Sequence, residues 1–136
     1  MPRYLLSYIA ALLTLCAGDA LWIGVLMGDF YKTQLGALML ERPRLDAAAA
    51  FYLLYGVGVV AFGVRAGLAA GSWRSAAMHS ALLGLVAFGT YDLSNLATLK
   101  GWAVELTIVD MLWGAVISAL AGIAGYAANR VTGRRA

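Results

Sequence analysis

This chain is short of what builds a soluble enzyme. Only 12% of its 136 residues are charged, against 62% hydrophobic. Soluble domains carry about a quarter charged residues, and a small one needs them to cover a large surface. That excludes a soluble enzyme domain, and the apolar content excludes disorder. One cysteine, Cys16, excludes an internal disulfide and any multi-thiolate metal site. One histidine, His79, excludes a bis-histidine haem and the HExxH zinc signature, which needs two. There is no P-loop and no GxGxxG opening a helix. The formal charge is +3, but the basic residues sit at the ends of apolar segments, not in a stripe, so nucleic acid is not an expected partner. No cofactor is implied.

What is abundant is apolar sequence in long runs, with a mean hydropathy of +0.80. A spanning helix needs roughly 20 mostly apolar residues. Four stretches qualify, at about residues 4–27, 47–70, 75–99 and 106–128. Gly, Pro and charged residues fill the gaps between them. The expected fold is an all-α integral membrane protein, a four-transmembrane-helix bundle forming a single membrane domain. Arg3 followed by apolar residues 5–15 resembles a signal peptide. Leu15, just before Cys16, is too bulky for a lipoprotein cleavage site, so this segment is expected to stay as the first span.

Basic residues set the orientation. Arg3, Arg65, Arg74, Arg130, Arg134 and Arg135 fall on one side; Lys32, Arg42, Arg44 and Lys100 fall on the other. Both termini are therefore expected in the cytoplasm (N-in, C-in), with the protein multi-pass in a cytoplasmic membrane. The first loop is the longest. Residues 29–41 are amphipathic, with Phe30, Leu35, Leu38 and Met39 able to share a helical face. They read either as an interfacial helix or as a plain connector, with Pro43 ending the segment.

Three acids, Asp19, Asp92 and Asp110, fall inside apolar segments. An acid at mid-bilayer costs roughly 2.5–3.5 kcal/mol on insertion scales, so a retained one usually has a partner or a task. Counted back from the outer span ends at about 1.5 Å per residue, their depths agree within about 6 Å. Asp92 shares a helix face with Asn95, and Tyr91 and Ser94 flank it. Asp19-Ala20-Leu21-Trp22 and Asp110-Met111-Leu112-Trp113 repeat one phrase on antiparallel spans. If those spans pack together, Asp19 comes level with Trp113 and Asp110 with Trp22, as in an inverted repeat. The plainer alternatives are interhelical glue worth about 0.6 kcal/mol per bond and, for Asp110 taken alone, an ordinary partner of the helix N-terminal dipole. Several acids at one level favour a pocket. Its expected members are Asp19, Asp92, Asp110, Asn95 and Tyr91, with Trp22 and Trp113 closing its sides and the three carboxyls within about 10 Å of one another. Three Asp make a poor cage for a hard cation, so no metal is expected. His79, on the opposite side, cannot complete a Ser-His-Asp set.

Other residues have plainer readings. Arg65 is expected to snorkel, His79 to be a surface or packing histidine, and Cys16 to be a small core residue. Tyr52 and Tyr55 read first as an interfacial belt, with the pocket as the alternative. Trp102 reads as an interface anchor. Gly63 with Gly67, and Ser118 with Gly122, are small-xxx-small pairs. Their role is close packing, within one chain or between two copies in a homodimer.

These phrases resemble a bacterial membrane-protein family catalogued as domain of unknown function 2177. The resemblance rests on Asp19-Ala20-Leu21-Trp22, on Phe51-Tyr52 with Tyr55-Gly56, on the run from Thr90 to Leu99 (TYDLSNLATL), and on Asp110-Met111-Leu112-Trp113-Gly114. It implies a small four-helix inner-membrane protein and no established activity. The residues favour a module that binds or transports a small cationic or amphipathic ligand. Acids at close range cannot all ionise at once, which allows proton coupling. The alternatives are a small enzyme acting on a lipid, with no evident nucleophile, or a structural subunit docking through Gly63, Gly67, Ser118 and Gly122.

Overall fold

The computed structural model describes residues 2–133. Arg134 and Arg135, two of the cations in the orientation count, lie outside the described residues. Helix α1 (Pro2–Leu21) runs on through a π-helical turn, Trp22–Leu26. A short helix α2 (Gly28–Leu35) follows, closed by a 3-10 turn at Gly36–Leu38. Helix α3 (Leu45–Gly58) continues through a second π-helical segment, Val59–Val64, into α4 (Arg65–Ala70). Helices α5 (Trp73–Thr98) and α6 (Val104–Gly133) complete the chain. There is no strand among the described residues.

Among the described residues, three segments are long and apolar enough to cross a membrane: Arg3–Leu26, Leu45–Ala70 and Val104–Gly133. Helix α5 matches them in length at 26 residues, but it carries His79, Ser80, Asp92, Ser94 and Asn95. Side-chain placement is the reverse of a soluble core. Leu54 is 75% exposed, and Leu13, Phe62 and Met78 also face outward, while Ser7, Ser80, Asp92 and Ser118 are fully buried. With lipid as solvent, an exposed leucine costs nothing, and polar groups gather where they find partners.

Helix α6 is the central element and packs along both α5 and α1. Small residues set how close the backbones come. Along the α5–α6 contact the partners step by one helical turn: Ser80 against Gly122, Gly84 against Ser118 and Gly114, then Phe88 against Gly114. A Cβ added at Gly84 would run into the Gly114 carbonyl. The α4–α5 hairpin has the same character, with Gly67 against Ala76 and Gly63 against Ser80. Gly71, at φ 64°, makes this hairpin short enough. The amides of Gly71 and Ser72 close on the carbonyls of Leu68 and Gly67 at 3.2 and 3.0 Å, and the Ser72 hydroxyl accepts from the Ser75 amide at the start of α5.

Several expectations are corrected here. Gly63, Gly67, Ser118 and Gly122 are all buried against the chain's own helices, so they are not free docking faces. Cys16 is exposed rather than in the core, because Ala11, Leu15 and Asp19 occupy the inward face of α1. Residues 29–41, read as an interfacial helix or as a connector, divide between the two: α2 ends at Leu35, where Gly36 adopts φ 53°, a conformation that favours glycine. Leu38 and Met39 then stand exposed, and Tyr31 is the buried residue of this segment.

Candidate functional site

The two ends of the bundle differ. At the end holding both termini, Gly133 lies beside Arg3 and Gly125 beside Ser7, and Asn129 donates to the Ser7 hydroxyl at 3.3 Å. At the other end the backbone of α3 packs beside α1, while α5 meets mainly the π segment and α4 that follow. Aromatic side chains bridge the resulting gap, Tyr55 reaching Phe88 edge-on at 6.2 Å.

A cavity of about 350 Å³ lies in that gap. All four long helical segments reach it: Asp19 and Ile23 from the first, Phe51 and Tyr52 from α3, Phe88 and Tyr91 from α5, Asp110 and Trp113 from α6. No basic residue lines it. Both oxygens of Asp19 accept hydrogen bonds, from the Tyr52 hydroxyl at 2.6 Å and from Trp113 Nε1 at 2.7 Å. One turn below Tyr52, the Tyr55 and Ser118 hydroxyls share a hydrogen bond of 2.7 Å. Both tyrosines therefore turn inward, and the belt reading is corrected: a buried acid and a buried serine on facing helices supply partners that lipid cannot.

Asp110 is held from outside the bundle. The Tyr31 hydroxyl donates to its carboxyl at 2.6 Å and accepts from Trp22 Nε1 at 3.1 Å. Burial, with Asp110 accepting its hydrogen bond, pushes the Tyr31 phenol above its ordinary value of 10.0, so it remains a donor at working pH. Asp110 lies beyond the first turn of α6, which starts at Val104, where the dipole fades; a tyrosine, not the helix end, is its partner. Trp22 and Trp113 stack face to face, centroids 4.3 Å apart and planes within 2°. The repeated Asp-x-x-Trp phrases thus interlock. Trp113 of the second reaches Asp19 of the first directly, and Trp22 of the first reaches Asp110 of the second through Tyr31.

Asp92 is fully buried, and neither of its oxygens has a hydrogen-bond partner. It lies beside Asp110, one step beyond Phe88 and Gly114 in the α5–α6 register. The two acids line a second cavity of about 180 Å³ with Tyr31, Leu35, Tyr91 and Trp102. Asp110 and Tyr91 stand in the walls of both cavities. Asn95, one turn further along α5, is half-buried and lines neither. Trp102 packs edge-on against Tyr91 at 5.6 Å and donates to Thr107. Among the described residues, no group of three or more His, Cys, Asp or Glu side chains is placed to hold a metal ion.

Tyr31 is the site residue that sequence reasoning missed. Its signal was weak: a tyrosine just past the end of the first span, on the same face of α2 as Leu35. Arg65 is exposed and His79 bonds the Ser75 carbonyl at 2.8 Å; both stand apart from the acids.

A family model described as predicted membrane protein (DUF2177) matches residues 4–127, which hold every acid and aromatic of this site. The chain belongs to this family. Comparison with curated proteins and with solved structures gives no match. This DUF2177 member is thus a helical membrane protein.

Proposed function

We propose that this DUF2177 protein binds or transports a small cationic, amphipathic ligand in the cavity between Asp19 and Asp110. On this reading it is a four-span protein of a bacterial inner membrane, with α5 as the fourth span and both termini in the cytoplasm. The observation that carries the reading is a pair of carboxyls, Asp19 and Asp110, in the wall of an aromatic-lined cavity that no basic residue lines. Such a cavity suits an organic cation. The acids supply the charge, and the faces of Phe51, Phe88, Tyr52 and Tyr91 supply cation–π and apolar contact. The donors from Tyr52, Trp113 and Tyr31 hold the carboxyls in place beforehand, which lowers the ordering cost of binding.

Asp92 and Asp110 support a coupled proton. Two carboxyls side by side, with no basic residue in the cavity they line, are best accommodated sharing one proton. A cation arriving at Asp110 would displace it. The smaller cavity would then be the proton side of the site and the larger the ligand side, with Asp110 common to both.

The test uses the purified protein in lipid nanodiscs and tetraphenylphosphonium as the probe. Binding is read from the fluorescence of the stacked Trp22 and Trp113, and proton release from a lightly buffered solution. Wild type is expected to bind and release a proton. Asp19→Asn should weaken binding at least tenfold, and Asp92→Asn should abolish the release. Asp29→Asn, in α2 and outside both cavities, should change neither. Equal binding by wild type and Asp19→Asn would remove the basis of the reading.

A further inference from the structure

Another recess lies apart from the acid cavities. It is a groove of about 430 Å³ between α1 and the π-helical segment, lined by Tyr4, Tyr8, Val57, Val60, Ala61 and Arg65. It shares no residue with the acid cavities. Tyr4 and Tyr8 stand one turn apart on α1. Val57, Val60 or Ala61, and Arg65 follow one another up the facing helix, over about 12 Å of helix rise. The groove therefore has two ends. Val57 and Tyr8 form an apolar end, where the Tyr8 hydroxyl is spent on the Leu53 carbonyl at 3.0 Å. Arg65 and Tyr4 form a polar end, close to the chain terminus. Arg65 has no acid partner: among the described residues the one ion pair is Arg44–Asp46.

From this geometry we infer a binding site for an anionic phospholipid, with its phosphate on Arg65 and Tyr4 and an acyl chain lying along Val60, Val57 and Tyr8. Charge complementarity selects the occupant. A guanidinium without a protein carboxylate, on the membrane-facing flank of a helix, meets lipid phosphate as the anion at hand, and binds it in bidentate fashion. The apolar end selects a lipid over a free anion, since inorganic phosphate has nothing to place against Val57 and Val60. The π-helical segment contributes directly. Its widened turn shifts the register of every residue that follows, and Arg65 is the first residue after it. An unbroken α-helix would rotate Arg65 away from the face that carries Val57.

The test compares lipids retained by the intact protein in native mass spectrometry, after exchange into phosphatidylglycerol or phosphatidylcholine. Wild type should keep phosphatidylglycerol in preference to phosphatidylcholine. Arg65→Gln should lower that preference about five-fold, the equilibrium equivalent of one lost cationic contact at the membrane surface. Val60→Trp, which fills the groove and leaves Arg65 in place, should lower it as well. Arg74→Gln, an exposed arginine outside the groove, should leave it unchanged. Three outcomes would overturn the site: no preference in wild type, equal losses in Arg65→Gln and Arg74→Gln, or competition by inorganic phosphate as effective as that of the lipid. Both arginine variants are at exposed positions, and a thermal melt confirms that each is folded.

Discussion

The two ends of the bundle are built from different residues, and the contrast explains where a site can exist. Toward the termini the contacts are glycine, alanine and serine: Gly67 with Ala76, Gly63 and Gly122 with Ser80, Gly84 with Ser118. The backbones of α5, α6 and the π-helical segment meet there, and the recess at this end lies outside that contact, between α1 and the π-helical segment. Toward α2 the contacts are tyrosine, tryptophan and aspartate, which hold the helices apart and leave two cavities lined by Asp19, Asp92 and Asp110. Close van der Waals packing, with the Asn129–Ser7 hydrogen bond, holds the first region; hydrogen bonds between side chains hold the second. A rigid small-residue base thus supports an open polar end.

The largest test of this contrast puts bulk into the tight end. Gly84→Leu drives a side chain into the Gly114 carbonyl, and overpacking that cannot relax costs about 3 kcal/mol or more. No monodisperse protein is expected on gel filtration. Gly24→Leu, where nothing lies within 4 Å of the added carbon, should give a normal yield and melt. If both variants fail alike, the two ends do not differ in packing.

The next effect belongs to the open end. Asp19→Ala strands the Tyr52 hydroxyl and the Trp113 N–H, each bonded only to that carboxyl. Leaving such donors unpaired costs about 1–3 kcal/mol, read as a lowered midpoint of detergent unfolding. Asp19→Asn keeps an acceptor oxygen and should lose less. An unchanged midpoint in Asp19→Ala would mean that the open end is not held by these bonds.

Tyr31→Phe sharpens the comparison further, since it removes the only hydroxyl joining Trp22 to Asp110. The expected loss is about 0.6–1.7 kcal/mol, the range for hydrogen bonds between membrane helices. The sign with pH follows from the raised phenol. Its contribution is complete below 10.0, the ordinary tyrosine value, and is lost as pH rises above it. Wild type should therefore lose stability on alkaline titration by more than the Phe variant does. At the small end, Leu54→Ala on the lipid face should stay within about 0.5 kcal/mol of wild type. A larger loss would place Leu54 in a contact between copies of the chain.

Hydropathy and spacing alone were enough for the membrane, the helices and the existence of buried acids, because each depends only on the local run of residues. The repeated Asp-x-x-Trp phrase and the four-residue steps of small residues were also on the page. What they touched was not. Gly63 and Ser118 could equally have faced a second copy; only the antiparallel register of α4–α5 and α5–α6 turned them inward. The same register set Asp92 beside Asp110. Tyr52 and Tyr55 left their expected belt because partners waited on α1 and α6, on segments far away in the chain. Tyr31 entered the site because the first helix breaks at Met27, φ −126°, and α2 brings the tyrosine back against Trp22. Periodicity tells a residue which side of its own helix it lies on. The packing of four helices decides what stands opposite, and in this chain that decided the sites.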